Sequence, residues 1–72
     1  MERVHVSSTS IASVGYEAET STLEIEFRES GDIYQYFGVP HHIHEGLMQS
    51  GSKGSYFQAQ IRNAGYSYVK VR

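Results

Sequence analysis

Cysteine and tryptophan are absent from this 72-residue chain, and proline occurs once. Without cysteine there is no disulfide and no thiolate metal site, so a metal would have to be held by histidine and carboxylate alone, and the composition fits a reducing cytoplasm. No apolar run approaches the roughly 20 residues that cross a bilayer. The opening Met1-Glu-Arg-Val-His-Val6 also lacks the continuous apolar stretch of a secretory signal, so the sequence predicts a soluble, cytoplasmic protein with no membrane partner. A large charge excess is missing too: the net charge is only −2, which excludes a polycation that coats nucleic acid without discrimination.

Aromatic residues are plentiful, with six Tyr and three Phe. A chain of this length is one domain, residues 1–72, that buries only about 60% of the surface its unfolded form exposes. Each aromatic side chain removes roughly 150–250 Å² from water, so these nine residues must supply much of the core. Charge is distributed unevenly. Residues 1–45 hold all eight acids against two arginines, a balance of −6, whereas residues 46–72 hold Lys53, Arg62, Lys70 and Arg72 and no acid, a balance of +4. Such polarity creates a basic face if those four side chains converge.

Hydrophobic periodicity orders the elements. Val4 and Val6 alternate with polar neighbours, which predicts a short, half-buried first strand, with a break at Ser7-Ser-Thr-Ser10. Ala12, Val14, Tyr16 and Ala18 fall on one face of a second strand, and Gly15, on the other face, marks a bulge or a close backbone approach. Leu23, Ile25 and Phe27 alternate with Glu24, Glu26 and Arg28, the pattern of a strand with one dry and one wet face. Glu29-Ser-Gly-Asp32 is turn chemistry and leads into a strand from Ile33 to Phe37. Pro40 suits the start of a helix, and Ile43 and Leu47 give that helix an apolar stripe. Ser50-Gly-Ser-Lys-Gly54 separates it from a second helix with Phe57, Ile61 and Ala64 on one side, Ser52 or Ser55 as its cap and Gly65 at its end. Tyr66 to Arg72 alternates well enough for a closing strand whose inward face is ambiguous.

Several residues carry candidate chemistry. Tyr34 and Tyr36 share a strand face and could stack bases at roughly 1–3 kcal/mol each, or could fill the core beneath the helices. Ile33 and Phe37 claim the opposite face, so one face must stay partly exposed. Lys53, Arg62, Lys70 and Arg72 are candidate phosphate contacts; Lys53 precedes a helix N-terminus, where backbone N–H groups attract anions, but could equally be part of a solvated cap. Arg62 could instead pair with Glu24 or Glu26. In His41-His-Ile-His-Glu45, the spacings of three and four would bring His41, His44 and Glu45 to one helix face, but no distant further ligand is obvious, His5 being the only other histidine, and a solvated first turn explains the cluster as well. His44 can be drawn beside Glu26 as an acid/base pair, though no spacing compels it, and no nucleophile with a partnered base is present.

Ser7-Ser8, Val14-Gly-Tyr-Glu17, Leu23-Glu-Ile-Glu-Phe27, Gly31-Asp-Ile-Tyr-Gln-Tyr36, Val39-Pro40, Leu47, Ser52-Lys-Gly54, Tyr56-Phe57 and Ile61-Arg62, in this order and spacing, resemble the KTSC domain family. That family comprises a short module at the C-terminus of some lysyl-tRNA synthetases and free-standing small bacterial proteins with a central Tyr-x-Tyr motif. The resemblance spans nearly the whole chain, and the synthetase context implies RNA as a partner. One departure is the tail after Arg62, which reads Asn-Ala-Gly-Tyr where a more basic ending would be expected.

The sequence therefore predicts an α+β domain: a small antiparallel β-sheet, built as a three-stranded meander plus short N- and C-terminal strands, with two short helices packed on one face. The expected function is that of a non-catalytic binding module with no cofactor and no metal. Its expected partner is RNA, either tRNA or single-stranded, held through Tyr34, Tyr36, Lys53, Arg62, Tyr66, Tyr68, Lys70 and Arg72. The alternative is a protein-interaction or self-association module using the same aromatic face or an exposed sheet edge, and a small metal-dependent enzyme is the third reading. The sequence leaves the oligomeric state open.

Overall fold

The strict alternation from Thr22 to Phe27 forms β3, the middle strand of a five-stranded antiparallel sheet ordered β1-β2-β3-β4-β5. Its companions are β1 (Val4–His5), β2 (Ile11–Glu17), β4 (Ile33–Tyr36) and β5 (Tyr68–Lys70), and two helices, α1 (His41–Gln49) and α2 (Lys53–Gln60), lie between β4 and β5. The computed structural model describes all of residues 1–72. Its architecture is the α+β arrangement predicted from the sequence.

Register decides which side chains share a face. One cross-strand row runs Val14, Ile25, Tyr34, Lys70, and the next runs Tyr16, Leu23, Tyr36, Tyr68. Leu47 of α1, Phe57 of α2 and Ile61 close over these rows and join Ile11, Val14, Leu23, Ile25, Tyr36 and Val39 in a single buried cluster. Tyr34 and Tyr36 therefore point to the helix side. The opposite face carries Ser13, Glu24, Glu26 and Gln35, which are tied together: Ser13 donates to Glu26 Oε1 at 2.7 Å, Gln35 donates to Glu24 Oε1 at 2.7 Å, and Arg3 donates to both Ser13 and Glu24. Burial alone would raise the Glu24 carboxyl, but hydrogen bonds from Gln35 and Arg3 and the Arg3 charge outweigh it and hold the group below its ordinary range.

Four local expectations need correction. A one-residue bulge between Ile11 and Ser13 shifts the pattern of β2, so Ile11 rather than Ala12 is fully buried. Val4 pairs opposite Val14 but stays 60% exposed, since β1 is an edge strand of only two residues. The second helix stops at Gln60, and Arg62–Ala64 forms a single 3₁₀ turn, which leaves Ala64 exposed and out of the core. Neither Ser52 nor Ser55 caps α2 through its side chain. Other expectations hold as read: Gly31 and Gly65 take positive φ, and β2 can be crossed closely at Gly15, where a Cβ would stand 2.7 Å from the Glu2 carbonyl oxygen.

Candidate functional site

The helices do not cover the whole sheet. On the β4–β5 side, Tyr34, Tyr36 and Tyr68 project on the helix face next to Phe27 and Phe57, and Arg62, Asn63 and Tyr66 close the space from the segment after α2. Together with Asp32 they line an open groove of about 520 Å³. Its walls form a continuous aromatic surface. Tyr36 lies 5.5 Å, centroid to centroid, from Phe57 in an edge-to-face contact; Tyr34 and Tyr36 are near-parallel at 6.3 Å; and Tyr68 tilts against both at 6.0 and 5.6 Å. Burial grades across it: Tyr36 is 6% exposed and Tyr68 60%.

The phenol groups divide cleanly. Tyr16 donates its hydroxyl to the Val39 carbonyl at 2.6 Å and Tyr56 donates to the Ile43 carbonyl at 2.9 Å. The other four tyrosines, Tyr34, Tyr36, Tyr66 and Tyr68, have no hydrogen-bond partner within the protein, and all four line the groove. Burial, reinforced by the neighbouring Tyr34, pushes Tyr36 up to about 12 against the opposing pull of Arg62, so its hydroxyl keeps its proton at any physiological pH. The groove thus offers aromatic faces, phenolic O–H groups and the Arg62 guanidinium. Its single carboxylate, Asp32, is neutralised by Lys70 Nζ at 3.6 Å.

The structure gathers five of the eight residues singled out from sequence, Tyr34, Tyr36, Arg62, Tyr66 and Tyr68, into this one groove, with Lys70 at its rim. Lys53 and Arg72 stand apart. Lys53 donates to the Ser50 carbonyl at 2.9 Å and borders a separate hollow of about 640 Å³, lined by Ser7–Ser10, Gly51–Ser55 and Gln58 with no apolar side chain. Arg72 contributes its charge near Glu26 on the opposite face, where the Ser13 hydrogen bond, then Arg3, His5 and Arg72, lower the Glu26 carboxyl. The four cations of residues 46–72 therefore do not form one patch. Arg62 pairs with neither Glu24 nor Glu26, because both acids belong to the far face and Arg3 and Ser13 occupy them. Phe27, Phe57 and Asn63 were missed as groove residues; the Phe27 alternation and the Phe57 spacing read as core, and only the incomplete helix cover exposes their edges.

The histidine cluster has a packing role. His44 stacks face to face on Tyr16, with centroids 4.6 Å apart and planes 8° from parallel, and its Nδ1 is buried with no partner. His41 lies 3.9 Å from Glu45 through Nδ1, and no group of three or more metal-ligating side chains converges anywhere. The drawn pairing of His44 with Glu26 fails because Glu26 lies across the sheet. Burial first, and then the neighbouring His41, lower the His44 pKa below its ordinary 6.5, against the opposing Glu45. A lowered folded-state pKa means that the unfolded chain binds the proton more readily. His44 thus contributes stability in full above about pH 6.5, and that contribution is lost as the pH falls through the lowered folded value. Thermal melts should show the midpoint falling from pH 7 towards pH 5, and His44→Phe, which keeps the stack on Tyr16, should flatten this limb; an unchanged slope in the variant would assign it to other groups.

Comparison with known proteins agrees with this architecture. The KTSC domain model matches residues 7–69. The chain belongs to the KTSC domain family. A KTSC domain protein from Yersinia pestis, known from its crystal structure, superposes with a TM-score of 0.91 at 41% identity, covering 99% of this chain and 97% of that one. An uncharacterised protein of Stutzerimonas stutzeri is 35% identical over 71 residues, 99% of each chain. A lysine–tRNA ligase of Nostoc punctiforme is 44% identical over 52 residues, 72% of this chain but only 9% of the ligase. The KTSC domain is thus similar to a small part of that ligase.

Proposed function

We propose that this KTSC domain is a non-catalytic binding module and that its aromatic groove takes single-stranded RNA, including unpaired segments of tRNA. The observation that carries this reading is the set of four groove tyrosines whose hydroxyls have no partner inside the protein, next to Arg62. Exposed rings stack on bases of any sequence, phenolic hydroxyls reach base edges and sugar oxygens, and a guanidinium meets a phosphate; sheet-borne aromatics bind single strands in this way. Similarity to part of a lysine–tRNA ligase supports RNA as the ligand class.

Fluorescence anisotropy with a labelled single-stranded RNA at low salt tests the reading. Tyr68→Ala should weaken binding by about 5- to 150-fold, equivalent to roughly 1–3 kcal/mol for one stacked base, while leaving the fold intact because the side chain is 60% exposed. Arg62→Ala should weaken binding and reduce the slope of log affinity against log salt by about 0.7, the loss of one phosphate contact on a single strand. Binding that is insensitive to salt, or the absence of binding at micromolar protein, would sink the proposal.

A further inference from the structure

The sheet is open, and its β5 edge is unlike its β1 edge. Of the six large hydrophobic residues exposed on the surface, Phe37, Tyr68, Val69 and Val71 lie on or beside β5. The inner side of β5 is fully engaged: Phe37 N–H donates to the Ser67 carbonyl, Val71 N–H to the Ile33 carbonyl, and Ile33 N–H to the Arg72 carbonyl, at 2.8–2.9 Å. Alternation along an antiparallel strand then turns the N–H and C=O groups of Tyr68 and Lys70 away from the sheet, and neither residue forms a backbone hydrogen bond outside the β4–β5 ladder. Edges of this kind are usually protected by shortness, a bulge, a proline or a charged side chain, and β5 has the first and the last of these, being three residues long with Lys70 on the helix side. Here the only irregularity comes at the very end, where the N–H groups of Val71 and Arg72 share the Ile33 carbonyl.

We infer that β5 pairs antiparallel with β5 of a second copy of this chain, about a two-fold axis at Val69, to give a continuous sheet across the dimer. The register follows from side-chain and backbone chemistry together. With Val69 opposite Val69, the outward polar groups of Tyr68 face those of Lys70 in the second copy, so each of these two symmetry-related pairs exchanges both of its hydrogen bonds. The same register sets each Lys70 ammonium beside the Tyr68 ring of the other copy, a cation–aromatic contact, and buries the half-exposed Val69 side chains against each other on the far face. Sliding by one pair in one direction would put Lys70 opposite Lys70, a like-charge contact. Sliding the other way would place Tyr68 opposite Tyr68 and leave Lys70 opposite Tyr66, outside the strand.

The pairing segment is short, so the dimer is weak and concentration-dependent. Because opposed residues on paired strands share a face, both aromatic grooves open on the same side of the joined sheet. The pairing itself does not depend on what the grooves bind.

The absence of cysteine gives a direct test. Val69→Cys places its only thiol on the two-fold axis at a non-hydrogen-bonded pair, where Cα atoms approach to about 4.5 Å, within the range a disulfide spans. Under mild oxidation it should form a covalent dimer at least tenfold faster than Val4→Cys, whose thiol sits on the β1 edge at similar exposure; equal rates would overturn the inference. Sedimentation velocity should show the mass of the unmodified chain rising from 8.1 kDa towards twice that as concentration increases to millimolar. Val69→Glu, which opposes two carboxylates on the axis, should abolish that rise with an unchanged circular dichroism spectrum, whereas Val4→Glu should not. A constant mass of 8.1 kDa at every concentration, or a dimer that survives Val69→Glu or is lost in Val4→Glu, would overturn the inference.

Discussion

Replacing Phe57 with alanine should remove about 3–5 kcal/mol of stability. Phe57 is 4% exposed and meets Phe27 and Tyr36 edge-to-face at 5.4 and 5.5 Å, so one ring joins α2 to two strands of the sheet. Truncation would forfeit its transfer free energy and leave a cavity that the fixed strands below cannot close. A domain of this size holds only about 4–11 kcal/mol in total, at roughly 0.05–0.15 kcal/mol per residue, so the substitution should remove from about a quarter to all of its stability. Phe57→Leu, which fills most of the volume, should cost less than half as much. Chemical denaturation of the three proteins checks this, and a Phe57→Ala variant within about 1 kcal/mol of the parent would show that the helices hold to the sheet by other means. The same ring walls the groove, so binding measurements on this variant are informative only where it is still folded.

Gly46→Ala should destabilise the domain even though helix propensity points the other way. Alanine in a helix interior is favoured over glycine by roughly 0.8–1.0 kcal/mol, and Gly46 lies in the middle of α1. A Cβ there, however, would fall on the Tyr56 hydroxyl, 2.7 Å from Cζ and 2.9 Å from Cε2 of the same ring. Tyr56 crosses α1 at this point and donates to the Ile43 carbonyl, so the ring would have to leave, giving up that hydrogen bond and its packing between the helices. Overpacking of this kind typically costs about 1–3 kcal/mol, and a domain of this size loses roughly 4–8 °C of melting temperature per kcal/mol. The cost should be non-additive with Tyr56→Ala, since once the ring is gone alanine at 46 regains its propensity advantage. A rise in melting temperature for Gly46→Ala alone would overturn the argument.

Much of the fold was legible because β3 and β4 obey a strict period of two and the only proline stands where a helix can start. Leu23, Ile25 and Phe27 could be assigned to a dry face without knowing what covered it, and Ile43 and Leu47 could be placed on one side of a helix. The bulge at Ile11 was not legible. An extra residue in a strand changes which side chain points inward without changing composition, and only pairing with Phe27 and Glu26 reveals it. The ending of α2 was hidden for a related reason: Ile61 and Ala64 keep a helical spacing, but the chain tightens into a 3₁₀ turn that buries the first and exposes the second.

The candidate site was half legible. Tyr34, Tyr36, Arg62, Tyr66 and Tyr68 stood out as residue types able to stack or to meet phosphate, and the structure places them in one groove. Sequence could not tell whether the Tyr34–Tyr36 pair was core or surface, and the two are not exclusive. The pair lies on the helix side, as a core pair would, and Tyr36 packs in the buried cluster against Phe57, yet both tyrosines also line the groove. Nor did the charge asymmetry become a basic face, because Lys53 and Arg72 lie away from the groove and Asp32 neutralises Lys70.

The sequence by itself determined the order of the elements, the dry face of β3 and the family, since these follow from local periodicity, turn chemistry and motif spacing along the chain. Tertiary structure alone decided how far the two short helices reach across five strands, and therefore which tyrosine hydroxyls find a partner inside the protein and which do not. That is a matter of area: α1 and α2 close over part of the sheet face only, and the part left uncovered between β4 and β5 is where the aromatic residues collect.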